Sequence, residues 1–240
     1  MKQSPRPYVY AAVILQAVLL AACGQNPADN RSAAVEGAST TATPVEAAVP
    51  VSGPERLVLA FGDSLYAGYG LKRGESLPDD IEALLRRQGV NATVVNAGVS
   101  GDTTAAGRTR LRFTLDKLPR KPDLVILGLG GNDVLRQIPL GETRANLTAM
   151  LDDLRGRGIP VVLTGMLAPP NLGPDYADPF NAMYPDLARR YGAELDPFVL
   201  AGVLGDRRLM LPDGIHPNAK GVDIMAARVA PIVARRLKAS

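Results

Sequence analysis

Four short apolar runs, Leu57 to Phe61, Ala92 to Val95, Leu124 to Gly128 and Pro160 to Met166, start 35, 32 and 36 residues apart. Each is rich in Val, Ile or Leu without strict alternation, the pattern of strands buried on both faces. A spacing of about 30 residues or more leaves room for one crossover helix between successive parallel strands. Helical spacing is found in the gaps. Leu77, Ile81, Leu84 and Leu85 follow a Ser76 N-cap with Pro78 in the first turn, and Leu147, Met150, Leu151 and Leu154 follow Thr143. A last helix is predicted from near Asn218, burying Val222, Met225, Val229, Ile232 and Val233. The expected class is therefore α/β, a parallel sheet with helices on both faces, with a weaker fifth strand near Glu194-Leu195. No sequence repeat accompanies the spacing, which excludes a solenoid.

The N-terminus reads differently. Met1 to Arg6 carries two positive charges, and Tyr8 to Ala22 is apolar except for Gln16. That is a charged segment followed by a short hydrophobic one, the arrangement of a signal peptide, and about 15 residues is short of the roughly 20 that a spanning helix needs. Leu20-Ala21-Ala22-Cys23 resembles the bacterial lipobox, in which the Cys becomes the lipidated first residue of the mature chain. Gly24 in the next position resembles the pattern sorted to the outer membrane of Gram-negative cells. From Gly24 to Pro54 the chain is mostly Ala, Ser, Thr, Pro, Val and Gly, too poor in bulky residues to offset its ordering entropy. The expected organisation is a leader at 1–22, a lipid-anchored Cys23 with a flexible tether to residue 54, and one domain at 55–240, a monomer in the periplasm held to the membrane.

Composition narrows the chemistry. The chain has one Cys and one His, so it cannot form an internal disulfide, and the two cannot supply the three or four ligands of a usual zinc site. No metal or other cofactor is expected. The net charge is +3, and losing Lys2 and Arg6 with the leader leaves 3 − 2 = +1, which gives no basis for nucleic-acid binding. The basic stretch Arg108, Arg110, Arg112, Lys117, Arg120, Lys121 reads first as a solvated helix face and second as a contact for anionic lipid. Neither a Gly-x-Gly-x-x-Gly after a strand nor a Gly-Lys-Ser/Thr phosphate loop is present.

In an open α/β sheet, ligands sit beyond the carboxyl ends of the strands. Gly62-Asp63-Ser64-Leu65 follows the first run, Asn96-Ala97-Gly98-Val99-Ser100-Gly101-Asp102 the second, and Gly130-Gly131-Asn132-Asp133 the third. Asp213-Gly214-Ile215-His216-Pro217, with the only His, precedes the last helix. Singly, Ser64 is a helix cap, Asn132 a turn former, Asp213 an Asx-turn and His216 a solvated loop residue. Together they supply a nucleophile, a base, an orienting carboxylate and oxyanion donors on one sheet edge.

These four blocks, in this order and spacing, resemble the SGNH, or GDSL, hydrolase family from about Leu57 to the last helix. Ala67-Gly68-Tyr69, Ser100-Gly101-Asp102-Thr103 and Tyr184-Pro185-Asp186-Leu187-Ala188 resemble its periplasmic thioesterase, arylesterase and lysophospholipase branch. The resemblance implies a three-layer flavodoxin-like fold with about five parallel strands. It also implies Ser64 as nucleophile, Asp213 and His216 as its partners, and Ser64, Gly101 and Asn132 as the oxyanion hole, with Gly98 the alternative to Gly101. Asp63 and Asp133 are expected to brace their turns. The stretch Ala168 to Tyr176 resembles the family's substrate-facing loop, with Leu172 and Tyr176 as acyl contacts or as ordinary surface residues. Leu77 departs from relatives, which often carry Trp before the Pro of the first helix. The implied substrates are acyl esters, thioesters or lysophospholipids. O-acetylated glycans and a nonenzymatic lipid-binding role are the competing readings.

Overall fold

The computed structural model describes residues 51–239. The predicted leader, Cys23 and most of the predicted tether lie outside the described residues. From Arg56 the chain alternates strand and helix. The strands are β1 (Arg56–Gly62), β2 (Ala92–Gly98), β3 (Leu124–Gly128), β4 (Val161–Thr164) and β5 (Glu194–Asp196). All are parallel, in the order β2-β1-β3-β4-β5. The helices are α1 (Ser64–Ala67), α2 (Leu77–Arg87), α3 (Thr104–Asp116), α4 (Gly131–Leu135), α5 (Leu140–Gly156), α6 (Pro174–Tyr191) and α7 (Ala219–Lys238). Among the described residues, no helix is long and apolar enough to cross a membrane.

Strand alternation divides the core in two. Val58, Ala60, Leu124, Ile126 and Val162 face one cluster with the buried sides of α2 and α7. Leu59, Phe61, Val125, Leu127 and Leu163 face the other, completed by α3, α5 and α6. The result is three layers, and among the described residues the buried hydrophobic ones run from Leu57 to Leu237. The local signals act as read. Ser76 and Asp79 form a reciprocal capping box on α2, and the Asn218 side chain accepts from the Gly221 N–H to cap α7.

Two elements depart from expectation. The second run is an edge strand: only Ala92 of β2 is fully buried, and Val94 and Val95 are half-buried against the two faces of the sheet, so the apolar run here meant partial rather than complete cover. The substrate loop is also shorter than expected. Pro170–Leu172 forms one 3₁₀ turn, and α6 then begins at Pro174, placing Tyr176 in a helix despite Pro179 and Pro185 further along.

A row of glycines sets the sheet's carboxyl edge. Gly62 of β1 pairs with Gly98 of β2 and Gly128 of β3. A Cβ on Gly62 would lie 2.2 Å from the Tyr66 ring, one on Gly128 would lie 2.4 Å from it, and one on Gly98 would lie 2.2 Å from the Ala67 nitrogen. No side chain fits at these three positions, so α1 lies directly on the strand ends. Tyr66 fills the slot and hydrogen-bonds Thr164 Oγ1 at 2.7 Å.

Candidate active site

Ser64 opens α1 immediately beyond β1. Its turn is capped by Asp63, whose Oδ1 accepts from the Leu65 N–H at 3.1 Å. Asp63 is buried, and loss of water raises its carboxyl from an ordinary 3.8 to about 6, against the opposing pull of the Leu65 N–H and of nearby His216.

His216 arrives from the loop before α7. That loop is held by the Leu211 N–H donating to the His216 carbonyl at 2.7 Å and by an antiparallel bridge between Met210 and Pro217. The imidazole spans two partners: Nε2 is 2.9 Å from Ser64 Oγ and Nδ1 is 2.7 Å from Asp213 Oδ2. Asp213 Oδ1 accepts from the backbone N–H groups of Ile215 (2.9 Å) and His216 (3.0 Å). The His216 backbone N–H, the imidazole and the Ile215 N–H together hold the Asp213 carboxyl down at about 2. The carboxylate is therefore both ionised and fixed in direction.

Asn132 sits in the first turn of α4, beyond β3, and its Nδ2 donates to the Asp102 carbonyl at 2.9 Å. Arg136 donates to the Gly101 carbonyl, also at 2.9 Å, so two side chains tie the loop after β2 to α4. Gly101 occupies the left-handed region at φ +85°. Among the described residues, the N–H groups of Ser64 and Gly101 have no intramolecular acceptor, whereas the Gly98 N–H is taken by Asn96 Oδ1 at 2.9 Å. That difference favours Gly101 over Gly98 as an oxyanion donor. Asp133 braces the same region: it is fully buried and accepts from the Thr104 N–H, the Thr104 hydroxyl and the Thr143 hydroxyl.

A cavity of about 240 Å³ opens beside Ser64, Asn132 and His216. Its walls are Leu65, Val134, Met166, Phe198 and Leu200, and its exposed rim is Leu135, Leu167, Leu204 and Ile215. Leu172 and Tyr176 are not among its lining residues. Both pack against the α3/α5/α6 side of the core, where Tyr176 stacks on Phe180 and donates its hydroxyl to the Ile138 carbonyl at 3.2 Å. Met166 and Leu167, just before the stretch from Ala168 to Tyr176, line the cavity instead, and the early start of α6 turns Leu172 and Tyr176 toward the core. Gly101 does not border this cavity either; it meets the site through its loop. Of the basic stretch only Arg110 is half-buried, and the other five residues are exposed. Arg110 pairs with Asp102 at 2.5 Å and covers the Phe61 ring, Arg108 donates to Asn146, and Arg120 pairs with Asp123.

Other residues reach the site from outside the four blocks, Tyr69 from a stretch that the resemblance had marked and the rest without a sequence signal. Tyr69 lies against His216, and Phe198, Leu200 and Leu204 come from a loop that Arg228 holds by donating to Asp196 and to the carbonyls of Phe198, Val199 and Ala201.

Residues 60–224 match the GDSL-like Lipase/Acylhydrolase family. An arylesterase of Vibrio mimicus is 37% identical over 180 residues, covering 75% of this chain and 89% of its own. The thioesterase 1/protease 1/lysophospholipase L1 of Escherichia coli is 36% identical over 181 residues, covering 73% and 84%. The crystal structure of AlinE4, an SGNH-hydrolase family esterase, superposes with a TM-score of 0.66 at 50% identity, covering 77% of this chain and 97% of that one. With the strand order, the four sequence blocks and these matches in agreement, the chain belongs to the GDSL-like lipase/acylhydrolase family of SGNH hydrolases.

Proposed function

We propose that this protein hydrolyses acyl esters with Ser64 as nucleophile, His216 as general base and Asp213 as the group that orients it. The observation that carries the reading is the continuous hydrogen-bonded chain from Asp213 through His216 to Ser64 at the mouth of an apolar cavity. As Ser64 Oγ attacks the carbonyl carbon, its proton passes to Nε2; when the tetrahedral intermediate collapses, the ester C–O bond breaks and that proton leaves with the alcohol. Water then repeats the sequence on the acyl-enzyme. Asp213 keeps Nδ1 protonated, so that Nε2 is the free base. The N–H groups of Ser64 and Gly101 and the Asn132 amide donate to the oxyanion. Only one of the two Asn132 amide hydrogens is engaged by the Asp102 carbonyl.

The cavity wall favours an apolar acyl group over an acetylated sugar, because its polar groups are those of the reaction itself. The open cleft of about 240 Å³ leaves room for an acyl chain longer than acetyl. Thioesters and lysophospholipids share that acyl end, and the names of the Vibrio and Escherichia relatives support the same class. The enzyme acts at the bacterial cell envelope, carried by a lipid on Cys23 and a tether to residue 54, a reading that rests on the lipobox-like sequence.

Hydrolysis of a p-nitrophenyl acyl series from C2 to C12 tests this, using the domain from Val51 onward, which contains both core clusters. The expected result is turnover with an optimum at a chain longer than C2, abolished in Ser64→Ala. Activity that survives in Ser64→Ala would overturn the assignment. An optimum at C2 would favour an acetyl esterase, and absence of both turnover and fluorophosphonate labelling in folded protein would favour a lipid-binding role.

A further inference from the structure

Tyr69 is an exposed aromatic residue whose ring lies close against another. Its centroid is 4.4 Å from that of the His216 imidazole, with the planes tilted by 37°. Half of the side chain is open to solvent, its hydroxyl has no hydrogen-bond partner among the described residues, and it does not line the cavity beside Ser64. Its backbone is nevertheless fixed: the Tyr69 N–H donates to the Ser64 carbonyl at 3.3 Å. The next residue, Gly70, lies so close to Leu211 in the His216 loop that a Cβ there would be 2.6 Å from Cδ1. Tyr69 therefore connects the nucleophile's turn to the loop of its base.

Two edges of the imidazole are taken, by Asp213 and by Ser64, and Tyr69 covers one face. The charged groups near the ring are Asp213 in its own loop and the buried Asp63 beneath Ser64. We propose that Tyr69 is a positioning residue for the base: its π face steadies the imidazolium that forms when Ser64 gives up its proton. This rests on the reading of Ser64, His216 and Asp213 given above. In that step the Oγ–C bond forms, the carbonyl electron pair moves to oxygen, the Oγ–H bond breaks and the proton joins Nε2. Positive charge then spreads over a ring already in contact with Tyr69. A cation over an aromatic face is stabilised, and the charge exists in the transition state rather than in bound substrate, so the benefit falls on kcat and not on KM.

Two substitutions in the Val51–Ser240 domain separate the π face from simple cover. Tyr69→Phe keeps the ring and should retain kcat within about twofold. Tyr69→Leu keeps an apolar lid without a quadrupole and should lose about two- to fivefold in kcat with KM unchanged. The acid limb of its pH profile for kcat/KM should move to lower pH by about half a unit, since the imidazolium is less favoured. Equal thermal midpoints for the two variants would establish that neither has lost its fold. If Leu matched Phe in kcat and in the acid limb, or if both changed KM alone, the proposal would be refuted while the parent remained active. A parent that neither hydrolyses esters nor reacts with a fluorophosphonate at Ser64 would remove the base itself, and the role of Tyr69 with it.

Discussion

Asp63 lets stability and catalysis be set against each other in one substitution. Burial is the largest influence on its carboxyl and raises it from 3.8 to about 6. The folded chain therefore binds this proton more tightly than the unfolded chain does. Between about pH 4 and pH 6 the folded state keeps a proton that the unfolded state has released, so this group makes stability fall as pH rises through that window. A shift of about two units corresponds to about 3 kcal/mol of gross cost above pH 6, at roughly 1.4 kcal/mol per unit. Asp63→Asn removes the charge and keeps an oxygen for the Leu65 N–H, but it places a donor N–H₂ where the carboxylate presents its second, accepting oxygen. Offsetting that new donor costs about 1–2 kcal/mol and leaves a net gain of about 1–2 kcal/mol at pH 7. For a domain of this size that is about 2–8 °C in Tm. Thermal unfolding by circular dichroism from pH 4 to pH 8 should give curves that cross, the variant below the parent at the acid end, where only the cost of the new donor remains, and above it towards neutrality. The same charge lies near His216 and favours its cation, so the stabilised variant should be the slower enzyme. A variant less stable than the parent at pH 7, or a difference that does not change with pH, would refute the reasoning.

Other perturbations act on the same frame. Asn132→Ala should lower kcat by about 10²- to 10³-fold with little change in the circular dichroism spectrum, measured on the best p-nitrophenyl ester. Asp213→Asn should cost about 10⁴-fold in kcat, because the amide no longer enforces the proton on Nδ1; an active variant would remove Asp213 from the mechanism. Arg228→Met leaves the buried Asp196 carboxylate unpaired and should destabilise the fold by about 3–5 kcal/mol in urea titration. Gly128→Ala drives a Cβ into the Tyr66 ring and Thr164 Oγ1, and should reduce both stability and fluorophosphonate labelling as α1 shifts.

The order of the elements was legible because burial on both faces leaves a plain mark. β1, β3 and β4 are almost wholly buried and read as unbroken apolar runs. The three residues of β5 made only a weak signal. The edge position of β2 was not legible, since strand order depends on crossovers that no local pattern records. The blocks around Ser64 and Asn132 followed from looking beyond strand ends, a rule of topology rather than of propensity, whereas Asp213 and His216, placed only before the last helix, were joined to Ser64 by the family resemblance. The glycine row was hidden because register, not sequence, aligns Gly62, Gly98 and Gly128. Tyr176 was misplaced for a local reason: Pro and Gly between Pro169 and Pro174 read as loop, while packing of Phe180, Met183, Tyr184 and Leu187 sustains a helix through two prolines.

Ser64 and His216 touch although they stand 152 positions apart in the sequence. A chain still being synthesised or translocated holds the serine long before it holds the base, and the loop that presents His216 is set only when α7 closes the last side of the core. Until then the hydroxyl is an ordinary alcohol, inert toward the esters and thioesters it passes. On the proposed mechanism, reactivity at Ser64 is a property of the finished molecule alone, and its labelling in a time course would mark the moment at which the two ends of the domain come together.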